Sequence, residues 1–240
     1  MERFTVKKDY FDSLAPFYRK YSDKKGNYLK TIDNLIVKNK PRNANNILDV
    51  GAGDGRRGTA LAKKMKIKEI ILVDPSIEMI KICRKLKPTA VWHSSAEDIP
   101  IKHKKFDIIL CLWNVLGHIK SRQRRVKALK KMKENLSSGG LIFLDVNNRH
   151  NASSYGWIKV IGRILIDTIL PDEKRGDATY NLQINKKTFQ GKGHLFTPSE
   201  IISLIKEAGL KIKNKYYVDY RTGILGKTYL EGQIFYVAEK

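Results

Sequence analysis

Cysteine is nearly absent from this 240-residue chain: there are two, Cys83 and Cys111, each inside an apolar pattern. That excludes a disulfide framework, supplies no metal-ligand spacing, and fits reduced core thiols in a cytoplasmic protein. Long apolar runs are missing too. The best candidate, Trp157 to Leu170, is interrupted by Lys159, Arg163 and Asp167, so no segment reads as spanning a bilayer and no membrane partner is expected. The N-terminus, MERFTVKKDY, lacks the apolar centre of a secretory signal. There is no internal repeat and no low-complexity tract.

Acidic residues are scarce. The chain has 24 of them against 47 lysines and arginines, a net charge of +23. Such an excess is either an electrostatic footprint for RNA, DNA or an anionic membrane surface, or a by-product of coding bias. The second reading rests on the heavy preference for lysine over arginine, the abundance of Asn and Ile, and the scatter of lysines along most of the chain. What the sequence does supply is 42% hydrophobic residues, enough for one sizeable core in a soluble globular fold. Oligomeric state is not legible.

Residues 7 to 21 form an amphipathic, aromatic-rich helical pattern broken at Gly26. Tyr28, Leu29, Ile32, Leu35 and Ile36 continue at helical spacing until Pro41. Short apolar runs then alternate with helical patterns. Strands are expected over 46–50, 69–73, 90–93, 106–112 and 141–146, with helices over 55–65, from Ile77 through Cys83, and over 122–136. Segment 147–194 leaves the alternation. It holds a helix-like piece, 157–170, and a polar, strand-like piece, 179–190, and reads as an insertion over the site. Thr197-Pro198-Ser199-Glu200 is a capping box that opens a helix ended by Gly209. Strands over 211–220 and 233–238 close the chain.

Continuous apolar strands separated by helices predict parallel βαβ units. The expected fold is α/β: a Rossmann-like, doubly wound, seven-stranded, mostly parallel sheet with helices on both faces, N-terminal helices, and an insertion after the fifth strand. A single domain over 1–240 is expected, divided into an N-terminal helical cap (1–44), a cofactor-binding core (45–147), a lid or substrate insertion (148–193) and a C-terminal helix with the last strands (194–240). Ligands in such sheets bind outside the carboxyl ends of the strands.

The stretch ILDVGAGDGRRG, 47 to 58, admits two readings. Gly53-Asp54-Gly55-Arg56-Arg57-Gly58 is a literal G-x-G-x-x-G dinucleotide fingerprint. The strand, however, runs into Gly51, so that match starts two residues late, and it leaves Asp49 facing an anionic pyrophosphate. S-adenosylmethionine has no phosphate and carries an ammonium group that Asp49 would attract, while the glycines admit close backbone approach. Asp74, about 20 residues after the turn, is spaced to reach ribose hydroxyls.

ILDVGAGDG (47–55) resembles motif I of the class I SAM-dependent methyltransferases, with a type 11/25-like core. ILVDPS (71–76) resembles their second-strand motif, SSAEDIP (94–100) their adenine segment, and FDIILCLWNVLGHI (106–119) their fourth-strand motif. LSSGGLIFLDV (136–146) is similar to the fifth-strand entry, with Ser138 in place of the usual proline. HLFTPSEIISLIKEAGL (194–210) is also typical. The resemblance implies S-adenosyl-L-methionine as cofactor, held by Asp49, Gly51, Ala52, Gly53, Gly55, Asp74, Pro75, Ala96, Glu97, Asp98, Trp113 and Asn114, with Asp98 capping the adenine amino group.

His118 follows the fourth strand, where it could take a proton from an acceptor oxygen or nitrogen. It could equally tie a loop, since methyl transfer needs orientation more than a base. Asn147, Asn148 and Arg149 follow the fifth strand and are candidates for acceptor contact, with Asn151 nearby. Tyr18 and Tyr21 could close over a sulfonium or simply pack. Ser121-Arg122-Gln123-Arg124-Arg125 resembles a stretch in methyltransferases that finish wobble-uridine side chains in tRNA, and reads otherwise as a solvated helix start. No metal is expected. Three functions stay open: methyl transfer to O or N of a small molecule, methylation of tRNA or other RNA through the basic surface, and a SAM- or nucleotide-binding module without transfer.

Overall fold

The computed structural model describes residues 10–101, 103–184 and 187–240. Helices α1 (Tyr10–Leu14), α2 (Tyr18–Asp23) and α3 (Gly26–Asn39) precede the first strand, β1 (Asn46–Val50). Then come α4 (Arg56–Met65), β2 (Glu69–Asp74), α5 (Ile77–Lys85), β3 (Ala90–His93), β4 (Phe106–Cys111), α6 (Arg122–Asn135) and β5 (Leu136–Val146). The insertion supplies α7 (Ala152–Tyr155), α8 (Trp157–Ile169) and a hairpin, β6 (Asp177–Ile184) and β7 (Lys187–His194). The chain ends with α9 (Pro198–Glu207), β8 (Lys211–Val218), β9 (Leu225–Gly226) and β10 (Gln233–Glu239).

The main sheet runs β3-β2-β1-β4-β5-β10-β8-β9. β3 to β5 are mutually parallel, and β10 is antiparallel to both β5 and β8. This is the expected doubly wound sheet of seven strands, widened by the two-residue edge strand β9. Alternating strand residues feed two cores, because successive side chains point to opposite faces. Leu48, Val50, Ile109, Cys111 and Leu144 pack on α6 and α9, through Leu129, Met132 and Leu204. Ile47, Leu72, Ile108, Leu110 and Phe143 pack on α3 and α4, through Tyr28, Ile32 and Leu61.

Helix starts follow their caps. Ser76 accepts from Met79 N at the head of α5, Ser121 from Arg124 N at α6, and Thr197 from Glu200 N at α9. The capping box at α9 is only half made. The Glu200 carboxylate sits on His194 Nε2 (2.9 Å), not on the Thr197 amide, because a buried imidazole is the stronger partner. β5 begins earlier than expected, taking Ser138-Gly139-Gly140 into the strand.

Candidate active site

The glycine turn joins β1 to α4. Gly51, Gly53 and Gly55 all have positive φ (70°, 57° and 74°), which side chains rarely tolerate. A Cβ at Gly51 would strike Val115, and one at Gly55 would strike Leu72 and Cys83. Gly58 has a different duty. A Cβ there would lie 2.1 Å from Asp49 Oδ2, so this glycine lets α4 close over the carboxylate at the end of β1.

Asp49 is buried, and burial pushes its carboxyl up to about 7, against the pull of the nearby Arg57 guanidinium. Arg57 turns inward. Its Nε donates to Asp33 Oδ1 (2.8 Å), while Nη1 and Nη2 are buried without a hydrogen-bond partner. Asp49, Gly51, Ala52, Arg57, Tyr18 and Trp113 line a cavity of about 380 Å³. It offers the unsatisfied Arg57 donors and two buried carboxylates, Asp49 and Asp54, the second of which is paired with Arg56 (3.4 Å). An amino-acid moiety has the matching charges, a carboxylate for the arginine and an ammonium for Asp49.

Asp74 braces the turn. Its Oδ2 accepts from Gly53 N (2.8 Å) and its Oδ1 from Ser76 N (2.9 Å). The adjoining Pro75 carbonyl accepts from His93 Nε2 (2.9 Å). Ala96–Asp98 form a 3₁₀ turn after β3. Within it, Glu97 is buried against Arg124 Nε (2.7 Å). Asp98 is exposed and turned toward α6, where Lys127 Nζ (2.8 Å) and Ser95 Oγ (2.7 Å) hold its carboxyl below the usual range. The residues of this turn line neither the cavity above nor the one described next.

Trp113 and Asn114 follow β4 with positive φ, 62° and 64°, a conformation that costs about 1–3 kcal/mol per non-glycine residue. β5 holds it in place. Trp113 N donates to Asp145 Oδ1, Asn114 N to Asp145 O (3.1 Å), and Asn147 N to Asn114 Oδ1 (3.0 Å). Burial raises the Asp145 carboxyl, opposed by Arg57 and by the Tyr28 hydroxyl, which donates to Oδ2 (2.7 Å).

The strained pair opens onto a second cavity of about 340 Å³, walled largely by aromatic rings. Tyr21 stacks on Trp113 (5.0 Å between centroids), and Trp113 Nε1 donates to Tyr220 Oη (3.0 Å). Tyr180, on the hairpin, approaches Tyr10 edge-on and is hydrogen-bonded to it. Tyr18 and Trp113 line both cavities. Burial raises the Tyr18 hydroxyl well above its ordinary value, so it is neutral and points at the glycine turn.

His118 lines the aromatic cavity, edge-on to Phe11 (5.0 Å). Its Nδ1 donates to the Lys192 carbonyl (3.0 Å), which leaves Nε2 with the lone pair. Burial lowers its pKa from the ordinary 6.5. The ring therefore ties the β4 loop to β7 and also presents a neutral, basic nitrogen.

The three residues after β5 part company. Asn147 lines the aromatic cavity. Asn148 does not: its Nδ2 donates to the Tyr229 and Gly232 carbonyls (2.5 and 2.8 Å) and its Oδ1 accepts from His150 N (2.9 Å), so its side chain is fully engaged in the fold. Arg149 faces a different hollow, paired with Asp167 (2.8 Å). Neither Asn148 nor Arg149 lines the aromatic cavity. Asn151 instead caps α7, accepting from Ser154 N. The arginines of 121–125 are all ion-paired, although Arg124 remains exposed. Arg122 pairs with Glu173 and Glu207, Arg124 with Glu97, and Arg125, almost fully buried, with Glu200 (3.5 Å).

Sequence reasoning missed Arg57 as a pocket residue, Tyr10, Tyr180 and Tyr220 as cavity walls, and Asp145 as the brace. It also missed His194, whose two ring nitrogens face Asp177 (2.7 Å) and Glu200 (2.9 Å) and so lock the hairpin to α9. The one legible signal was Asp145, an acid inside an otherwise apolar strand.

A positive-φ glycine turn after β1, an acid closing β2 and a strained loop after β4 all lie at the carboxyl edge of the parallel strands. The fold is the one seen in solved S-adenosylmethionine-dependent methyltransferases, and residues 47–140 match the family model described as a methyltransferase domain. An uncharacterised protein of Methanocaldococcus jannaschii is 24% identical over 207 residues, 85% of this chain and 76% of that protein. Among solved structures, the CcbJ methyltransferase of Streptomyces caelestis superposes with a TM-score of 0.69 at 11% identity, covering 97% of this chain and 98% of its own. A SAM-bound amino pentose methyltransferase of Micromonospora echinaspora gives 0.64 at 14% identity, covering 93% and 97%.

Proposed function

We propose that this protein transfers a methyl group from S-adenosylmethionine to an oxygen or nitrogen of a small molecule. The observation that carries the reading is the shared wall of Tyr18 and Trp113 between the Asp49–Arg57 cavity and the aromatic one. The cofactor supplies an electrophilic methyl group on a sulfonium. Asp49 attracts its ammonium, Arg57 its carboxylate, and the glycine turn admits its backbone-close approach. Asp74 lies within the same strand-end ridge, spaced for ribose. The faces of Trp113 and Tyr18 favour a cation between the two cavities.

On the acceptor side the rings exclude water and orient a small, partly apolar molecule, which supplies most of the rate for an in-line displacement. His118 Nε2 receives the proton the acceptor sheds. In this reading residues 10–44 form a cap, residues 1–9 lying outside the described ones, and 148–193 contributes its lid through the hairpin and α7. A second reading, methylation of tRNA or other RNA, draws on the net charge of +23.

The test combines calorimetric titration with a transfer assay. S-adenosylmethionine and its demethylated product should bind the wild type, NAD should not, and Asp49→Ala should lose at least tenfold in affinity. Methyl-labelled cofactor should then label acceptors from a panel of amino sugars and phenols. Label entering only tRNA would move the assignment to the second reading. Tight cofactor binding with no transfer to either class would leave a binding module. NAD binding without S-adenosylmethionine binding would overturn the glycine-turn reading.

A further inference from the structure

Helix α8 is built inside out. Ile158 is 91% exposed and Ile169 73%, and Trp157, Ile161, Leu165 and Ile166 are each at least half exposed on the same side. At 100° per residue these six positions fill one continuous half of the helix. The charged positions point the other way. Asp167 turns into the protein to meet Arg149 (2.8 Å) and His150 Nε2 (2.9 Å). Arg163 donates to the Arg149 carbonyl (2.9 Å) and lies over the Tyr155 ring (4.6 Å). Val160 is the one fully buried residue. A surface helix of a globular protein has the reverse arrangement, and a contiguous apolar face of this kind marks an interaction surface.

We propose that this face seats on an anionic lipid surface, with α8 lying flat in the headgroup region. Three observations favour lipid over other occupants. The protein carries a net charge of +23, which draws it to anionic headgroups and sets two copies against each other. The apolar face belongs to one 13-residue helix, far short of the roughly 20–30 residues a side that a stable protein interface uses, yet one helix face is all that interfacial lipid binding needs. Trp157 and exposed Lys159 stand at the two opposite borders of the face, an aromatic and a basic residue of the kinds enriched at headgroup level. The helix does not cross the bilayer: none in the described residues is long and apolar enough. Ser154 and Tyr155, immediately before α8, line the aromatic cavity, so the membrane-facing helix adjoins its wall.

The experiment is co-sedimentation of the full chain with vesicles of phosphatidylcholine containing phosphatidylglycerol, and with phosphatidylcholine alone. A double variant, Ile158→Glu with Leu165→Glu, is run beside it, with circular dichroism melting to verify its fold. The wild type should pellet with anionic vesicles and shift its tryptophan emission to the blue, and the double variant should partition at least tenfold less. A wild type that stays in the supernatant overturns the proposal. So does equal pelleting of a folded double variant, which would mean that charge alone binds. A wild-type dimer in sedimentation velocity that the double variant dissociates also overturns it, because the occupant is then a second copy. None of these readouts depends on methyl transfer.

Discussion

Asp49 shows how one buried residue sets a binding property. With its carboxyl near 7, it is about nine-tenths ionised at pH 8 and about one-tenth at pH 6. Only the ionised form attracts an ammonium group, so affinity for S-adenosylmethionine should fall about tenfold between pH 8 and pH 6, and Asp49→Asn should flatten that dependence. Calorimetry in two buffers of different ionisation heat would also read the proton released. Burial disfavours the folded carboxylate relative to the unfolded chain, where its ordinary value is 3.8. This group therefore weakens the ligand-free protein above pH 7, and the penalty fades as pH falls toward 4.

The neighbouring Gly58 offers a test of opposite forces. Glycine to alanine inside a helix normally gains about 1 kcal/mol. Here the new methyl would meet Asp49 Oδ2 at 2.1 Å, so Gly58→Ala should instead lose about 1–3 kcal/mol in urea unfolding and weaken cofactor binding. A stabilised variant with unchanged affinity would show that α4 and Asp49 move apart freely. For His118, whose pKa is depressed below 6.5, kcat should rise with pH and level off before neutrality. His118→Ala should lower kcat about 10²–10⁴-fold, and a loss confined to stability would assign the residue to loop tethering alone.

Among the elements, the β4 loop depends on β5 more than on its own sequence. Asp145→Asn keeps the shape of the side chain, but its oxygen cannot serve both the Trp113 amide and the Tyr28 hydroxyl as acceptor. A loss of about 1–3 kcal/mol is expected, with a change in the near-ultraviolet signal of Trp113. The same contrast separates what could be read in advance from what could not. Strands β1 to β5 are apolar runs bounded by turns and separated by helices, so their positions and their parallel character were legible, whereas their order in the sheet was not read. The hairpin β6–β7 alternates polar residues with scattered aromatics, and the sequence shows only strand character there. Its place over the site is decided by Tyr180 meeting Tyr10 and by His194 meeting Glu200. Asn148 and Arg149 stand where acceptor contacts were expected. Their side chains were claimed by partners 18 to 84 positions away, which no local pattern encodes. Asp98 is a parallel case, with Lys127 fixing its direction from α6.

Across the whole molecule, the charge of +23 and the site pull on different partners, and salt separates them. Phosphate contacts release counterions, so a protein making 6–10 of them loses about 10³–10⁵ in RNA affinity between 50 and 200 mM salt. A contact between a buried carboxylate and an ammonium group is screened far less, because a Debye length matters little where water is excluded. Filter retention of tRNA should therefore collapse over that range, while the calorimetric constant for S-adenosylmethionine should stay within about twofold. Methyl transfer to a small acceptor should be equally indifferent to salt. If labelled methyl groups instead enter tRNA, and do so with a rate that tracks its salt-dependent binding, the basic surface is part of the catalytic complex. The aromatic cavity would then have to admit a single unstacked base, a geometry whose cost of a few kcal/mol per base the surface charge would offset.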